Sequence, residues 1–293
     1  MNPKEKIAIL TDTGSFISPS VGEQLGIWVL PLQIIETENE KTISYEDLVD
    51  INTNDIYEKL YQNKELKTSL PSYYAISDTL ELIKEKGYDS IIAIPLTSGI
   101  SSTATNIQSV ANELNIPISI IDTYTTCQIQ NHVVKEVIDL VNKGYNRETI
   151  VEMVEEQIKN SNSVILAKDI NHLKKGGRLT PAAAAFANML KIFPILEMNH
   201  TTAGRIDVLN KVRTEKKAKA VLIEETVKRV SPGDYDIYVI HSDDKETAEY
   251  IKSQLISFGM QDNDIHIADF SSVIAVHVGM KCLAIQVIKK INY

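Results

Sequence analysis

Cysteine is nearly missing from this chain: 293 residues carry two, Cys127 and Cys282. Two thiols cannot build a disulfide framework, and neither lies in a CxxC or Cys/His cluster, so both read as buried and reduced in a cytosolic protein. Histidine is sparse too. His132, His172, His200, His241, His266 and His277 show no HxxxH or HExxH spacing, which argues against a metal. Long apolar runs are lacking: the longest apolar region, Ala182 to Met198, is interrupted by Asn188, Lys191 and Pro194 and is no membrane span. The opening "MNPKEKIAILTD" is too short in apolar residues for a signal peptide. Positive charge is in deficit, 30 Lys and Arg against 39 Asp and Glu, for a formal net charge of −9. A field of that sign disfavours nucleic acid and anionic membrane as partners. Neither GxxxxGK[ST] nor GxGxxG occurs, and the "GGR" of Gly176 to Arg178 lacks the spacing of either phosphate cradle. These absences leave a soluble, cytoplasmic protein with no cofactor, no metal, no nucleic-acid partner and no stable membrane insertion.

What is present is ordinary globular material, 43% hydrophobic and 24% charged, enough for a sizeable core. The length suits one large domain or two of usual size. Buried-strand patterns ("KIAILTD", "IWVLPLQII", "SIIAIPL", "ISIIDT") alternate with capped helix patterns such as "SPSVGEQLG" and "SYYAISDTLELIKEKG". Alternation of this kind predicts a mostly parallel sheet flanked by helices. A second half with different grammar opens at "SVILAKD", so we expect two closely packed α/β domains, residues 1–160 and 161–293, with a ligand at or near their interface. "KTSLPS" reads as a loop before a helix.

The chemistry-bearing feature is hydroxyl. Small hydroxyl residues follow apolar strands at Thr11 and Thr13, at Thr97 and Ser98, and at Thr123, Thr125 and Thr126. In a parallel sheet those strand ends share one edge, where unpaired helix N–H groups favour anions. Each cluster alone is equally a helix cap or a turn; their recurrence at one edge points to a site. Neutral hydroxyls with one imidazole suit a carboxylate better than a phosphate. The imidazole of interest is His277 in "IAVHVG", followed by Gly279, which permits close backbone approach; a core histidine satisfied by a carbonyl is the plain alternative. Ser98 lacks the GxSxG elbow of a serine hydrolase. A basic cluster (Lys174, Lys175, Arg178, Arg205, Lys211, Arg213, Lys216, Lys217) is either a solvated face or a docking surface.

Taken in order, "KIAILTDTGS", "SYEDLVDINTNDIYEKL", "KTSLPS", "IPLTSGISST", "SIIDT", "LKKGGRLT", "KVRTEKKA" and "AVHVG" resemble the DegV family along essentially the whole chain. These are bacterial fatty-acid-binding proteins that serve as the acyl-carrying subunit of fatty acid kinase. The resemblance implies two α/β domains enclosing a long-chain fatty acid. It places the carboxylate on Thr68, Ser69, Thr97, Ser98 and His277, with Gly279 beside them, and assigns Arg178 and Arg213 to partner docking or to phosphate. It further implies that the chain is not itself catalytic and that an ATP-dependent kinase partner converts the bound acid to acyl-phosphate. Leu70 departs from the usual glutamine of the TSQPS loop, and Ser102 from a glycine. Two other readings are an esterase or acyltransferase using Ser98 and His277, and a lipid carrier or sensor without a kinase.

Overall fold

The computed structural model describes residues 5–38, 41–186 and 192–291. The first apolar run forms β1 (Ile7–Asp12), buried throughout, and passes through a short 3-10 turn into α1 (Pro19–Leu25). Ser18 caps that helix through Val21 N–H, with Pro19 at its first position, where the missing N–H costs nothing. "IWVLPLQII", expected as one strand, is two. Pro31 offers no N–H and separates β2 (Trp28–Leu30), parallel to β1, from β3 (Gln33–Glu38), which turns away into another sheet. β4 (Lys41–Glu46) pairs antiparallel with β3, and α2 (Thr53–Tyr61) follows behind a capping box of Asn52 and Asp55. The "KTSLPS" segment is a loop only in its second half: Glu65–Ser69 is β5, the other edge of this small sheet, and residues 70–72 lead into the next helix. The alternating half-exposed pattern of β5 is too short to separate from a loop by sequence period.

The remaining first-half elements fall where the periodicity puts them. They are α3 (Tyr73–Glu85), β6 (Ser90–Ile94), α4 (Thr103–Glu113), β7 (Ile118–Ile120), α5 (Gln128–Lys143) and α6 (Arg147–Lys159). β2, β1, β6 and β7 lie in that order, all parallel. Helices α3 and α4 cover one face through Ile76, Leu80, Ile107 and Val110; α5 and α6 cover the other through Val133, Val137, Ile150 and Val154. The second half contains β8 (Asn162–Leu166), α7 (Ile170–Lys175), α8 (Pro181–Ala185), β9 (Phe193–Asn199), β10 (Asp207–Val212), α9 (Glu215–Val227), β11 (Tyr235–His241), α10 (Lys245–Ser257), β12 (Ile265–Asp269), α11 (Ser272–Val278) and β13 (Leu283–Lys289). Its sheet runs β10-β9-β8-β13-β11-β12, antiparallel except for β11 with β12. α9 and α10 cover one face; the other carries α11 and meets the small sheet and the first sheet's loops in a shared core of Leu32, Ile34, Leu96, Ile165, Leu173 and Phe270.

Two carboxylates are sealed near that core. Asp12 receives N–H bonds from Leu96 and Gly14 and the Gln130 amide; Asp47 lies beside Thr13 and Ser272, yet neither of its oxygens has a hydrogen-bond partner among the described residues. Burial is the main cause lifting each carboxyl from 3.8 to about 6. A carboxyl raised in the folded state binds its proton more tightly there, so its contribution to stability falls as pH rises from about 4 to about 6. Buried His277 is held down to about 3 and slopes the opposite way between there and its ordinary 6.5. The Asp47 term is therefore read by difference: Asp47→Asn will gain on wild type by about 2 kcal/mol between pH 4 and pH 7. Urea midpoints of both proteins across that range check it; parallel profiles would show that Asp47 does not hold a proton.

Candidate functional site

A cavity of about 430 Å³ opens where the small sheet, the first sheet's loops and the second sheet meet. The end of β5 brings Thr68 and Ser69 to its mouth, and the turn after β6 brings Ser98 to Ser102. One face of α11 supplies Val273, Ile274, His277 and Val278, spacings that share a helical side. Ser163 and Ile165 project from β8, Met198 from β9, and Arg178 and Arg205 from flanking turns.

At the mouth, Thr68 Oγ1 lies 2.7 Å from His277 Nε2. Burial chiefly, then the charge of Arg178 and the nearby His172, holds His277 down to about 3, so its ring is neutral at pH 7. With the Nε2–H tautomer, His277 donates to Thr68, whose own proton is then free for an acceptor in the cavity. The opposite tautomer would consume it. Space for the ring comes from Gly176, where a Cβ would stand 2.8 Å from His277 Nδ1.

Ser98 has different company. Its hydroxyl donates to Asp122 Oδ2 at 2.5 Å and its N–H reaches the same oxygen at 3.0 Å. The hydroxyls of the "TSGISST" turn thus divide. Ser98 binds Asp122, Ser101 accepts the N–H of Thr103, and Thr97 is buried with its Oγ1 toward Gly204 and off the cavity wall. Gly279 also lies off the wall. It adopts φ +73 against the His172 ring, which donates from Nε2 to Val276 O, while Ser242 donates to the Gly279 carbonyl. Arg213 is exposed at the end of β10 and lines neither this cavity nor the cleft behind it. Thr68, Ser69, Ser98, His277 and Arg178 are brought together; Thr97, Gly279 and Arg213 are not.

Behind this cavity is a second cleft of about 650 Å³, lined by Lys64, Lys67, Lys175 and His172 among others. Thr68, His277 and Arg178 line both spaces and form the wall between them. Lys64 is paired with Glu38 and lies near Glu36, and Lys67 is paired with Glu65, so among the described residues Lys175 and Arg178 are the charges that make this cleft locally positive on a chain of net charge −9. Such a setting attracts anions toward the wall.

Sequence reasoning missed Asp122, which holds Ser98, and the lining residues Arg205 and Ser163. Asp122 stood at the end of "SIIDT", on the edge already suspected, and an acid beside hydroxyls there was a usable signal. Arg205 was counted only within a charge cluster, and nothing in "TTAGRID" separates it from a surface arginine. Ser163 sits in an ordinary strand pattern and gave no sign. Among the described residues no group of acids, histidines or cysteines is arranged to hold a metal ion, and no helix is long and apolar enough to cross a membrane.

Comparison with known proteins follows the same outline. Residues 6–290 match a family model described as an uncharacterised protein of the DegV family. A DegV domain-containing protein of Streptococcus pyogenes serotype M1 is 34% identical over 284 residues, 96% of this chain and 98% of the relative. Among solved structures, a fatty acid binding DegV family protein from Streptococcus agalactiae superposes with a TM-score of 0.87. It is 32% identical, over 98% of this chain and 100% of that one. DegV of Bacillus subtilis, described as a fatty acid binding protein, gives 0.82 at 28% identity over 98% and 100%. A family model matched across nearly the whole length and an aligned relative of equal extent give one conclusion: the chain belongs to the DegV family.

Proposed function

We propose that this protein binds a long-chain fatty acid in the cavity and presents its carboxylate to an ATP-dependent fatty acid kinase partner, which converts it to acyl-phosphate. The observation that carries the reading is the Thr68–His277 pair, set in a wall with the cavity on one side and a positive cleft on the other. Two DegV relatives are described as fatty acid binding, which supports the ligand class. Each methylene moved from water to the cavity contributes about 0.8 kcal/mol, so a long chain needs only a modest hold on its head group. Thr68 would donate to one carboxylate oxygen with His277 behind it. A neutral hydroxyl satisfies that oxygen without the countercharge of a lysine, leaving it nucleophilic toward phosphorus. Ser69 and Ser98 complete the rim. Arg178, on the wall, and Arg213, on the surface beyond, are the docking or phosphate-facing residues. In this reading residues 1–160 and 161–293 are the two domains closing on the ligand, and the chain works in the cytoplasm without catalysing the transfer.

The esterase reading has less support: Ser98 donates to Asp122 and His277 pairs with Thr68, so nucleophile and base are engaged elsewhere. Mass spectrometry of lipid extracted from the purified protein will find a fatty acid at close to one per chain. Adding a fatty acid kinase and ATP will convert it to acyl-phosphate, trapped as the hydroxamate. Repeated preparations and fatty-acid soaks that yield no bound acyl chain would refute the ligand. Retained acid that no kinase phosphorylates would favour a carrier or sensor.

A further inference from the structure

The cavity has two kinds of hydroxyl, and the fatty-acid reading uses only one of them. Ser69 and Ser98 are exposed and Thr68 is half-buried, which places them at the rim. Thr126 and Ser163 also line the cavity but are only 6% and 2% exposed, which places them on its floor. On β8, Ser163 shares its face with Ile165, which also lines the cavity, so a valine would suit a purely apolar floor. The Gln286 side chain, 1% exposed, fixes this pair from the neighbouring strand β13, where it lies directly across from Ser163. Its Nε2 donates to the Thr126 carbonyl at 2.9 Å and to Ser163 Oγ at 3.4 Å, while its Oε1 accepts from Gln128 and Ile129 N–H. Gln286 is thereby fully used. Ser163 receives a hydrogen bond, but among the described residues no acceptor takes its own proton. Among the described residues the Thr126 hydroxyl is hydrogen-bonded to the Cys127 thiol alone.

A plain methylene chain laid over this floor would leave the Ser163 donor unpaired and out of water, which is costly. An oxygen on the chain would pair it. We infer that Thr126 and Ser163 form a polar subsite for an oxygen substituent on the acyl chain, so that the preferred ligand is a hydroxylated long-chain fatty acid. The inference rests on the fatty-acid reading and adds a chemical class to it. A hydroxyl oxygen would accept from Ser163 Oγ, and its proton would go to Thr126 Oγ1. A bound hydroxy acid would thus use both residues while its carboxylate stays at the rim.

The test is displacement of labelled octadecanoic acid by unlabelled octadecanoic acid and by a panel of its positional hydroxy isomers. At least one isomer will bind roughly tenfold more tightly than the parent acid, the expected yield of one hydrogen bond to an otherwise unpaired buried donor. In the Ser163→Ala/Thr126→Val double variant that preference will vanish while parent-acid affinity holds or improves. Thermal melting will report whether the variant is folded, and Ser163→Ala alone, the smaller change, will lower the preference by itself. The inference is overturned if no isomer outcompetes the parent acid, as it would be were the floor occupied by water, or if the preference survives both substitutions. Should the parent acid itself fail to bind, the fatty-acid reading falls and this inference with it; parent binding without preference removes the inference alone.

Discussion

Thr68→Val and His277→Phe will each weaken fatty acid retention by about 2 kcal/mol, roughly thirtyfold in Kd, and the double variant will lose little more than either single one. The reason is the serial arrangement. In the proposed function Thr68 donates to the ligand, and His277 reaches Thr68 through its 2.7 Å contact, so removing either would break the same donor chain. Valine keeps the branched shape of threonine and phenylalanine keeps a ring against Gly176, so packing changes little. Ser98→Ala is expected to cost less, under about 1 kcal/mol, because its proton already belongs to Asp122. Equilibrium binding of a labelled acid at pH 7 measures all four. Additive losses, or a Ser98→Ala effect exceeding that of Thr68→Val, would dismiss the relay and return the clamp to the "TSG" turn.

Gly99→Ala will destabilise the fold by about 3 kcal/mol while leaving the Thr68–His277 pair in place. A Cβ at Gly99 would stand 2.2 Å from the Gly204 carbonyl carbon, 2.3 Å from its oxygen and 2.5 Å from the Ala203 oxygen. Backbone cannot yield as a flexible side chain can. The opposing turn is itself constrained, since Gly204 has φ +68 and a Cβ there would lie 2.2 Å from Thr97 Oγ1. Thr97, Gly99 and Gly204 thus make a backbone-to-backbone seam between the turn after β6 and the turn between β9 and β10. Gly87→Ala is the control: φ is +71 there but nothing lies within 4 Å of a Cβ, so it should cost only about 1 kcal/mol of conformational strain. Urea denaturation followed by tryptophan and far-ultraviolet signals distinguishes the cases. Similar midpoints for Gly99→Ala and Gly87→Ala would show that the seam can part at no cost.

The single glycine of the "LTSGISST" turn shows where sequence reading stops. Its hydroxyls were visible as a group, and that they follow a buried strand was visible too. Which of them faces a ligand depends on what packs opposite. Asp122 takes Ser98, the 200–204 turn takes Thr97 and Gly99, and Ser101 serves the next helix. Only the Ser101 partner, Thr103, is local; Asp122 and the 200–204 turn are brought up by the fold. The small sheet is a similar case. "IWVLPLQII" reads as one strand, and only the pairing of β3 with β4 and β5 shows that the chain there leaves one sheet for another and delivers Thr68 to the cavity.

By itself the sequence determined the alternation of strands and helices, the helix caps at Ser18 and Ser72, the family, and the shortlist of hydroxyls with His277. Those follow from periodicity, local hydrogen bonding and motif order, all encoded within a few residues of one another. The tertiary structure alone decided that Thr68 meets His277 across 209 positions, that Thr97 and Gly279 serve packing, and that Arg178 shares a wall with them. Which side chains face one cavity is set by long-range packing of sheets and loops, and no local pattern carries that information.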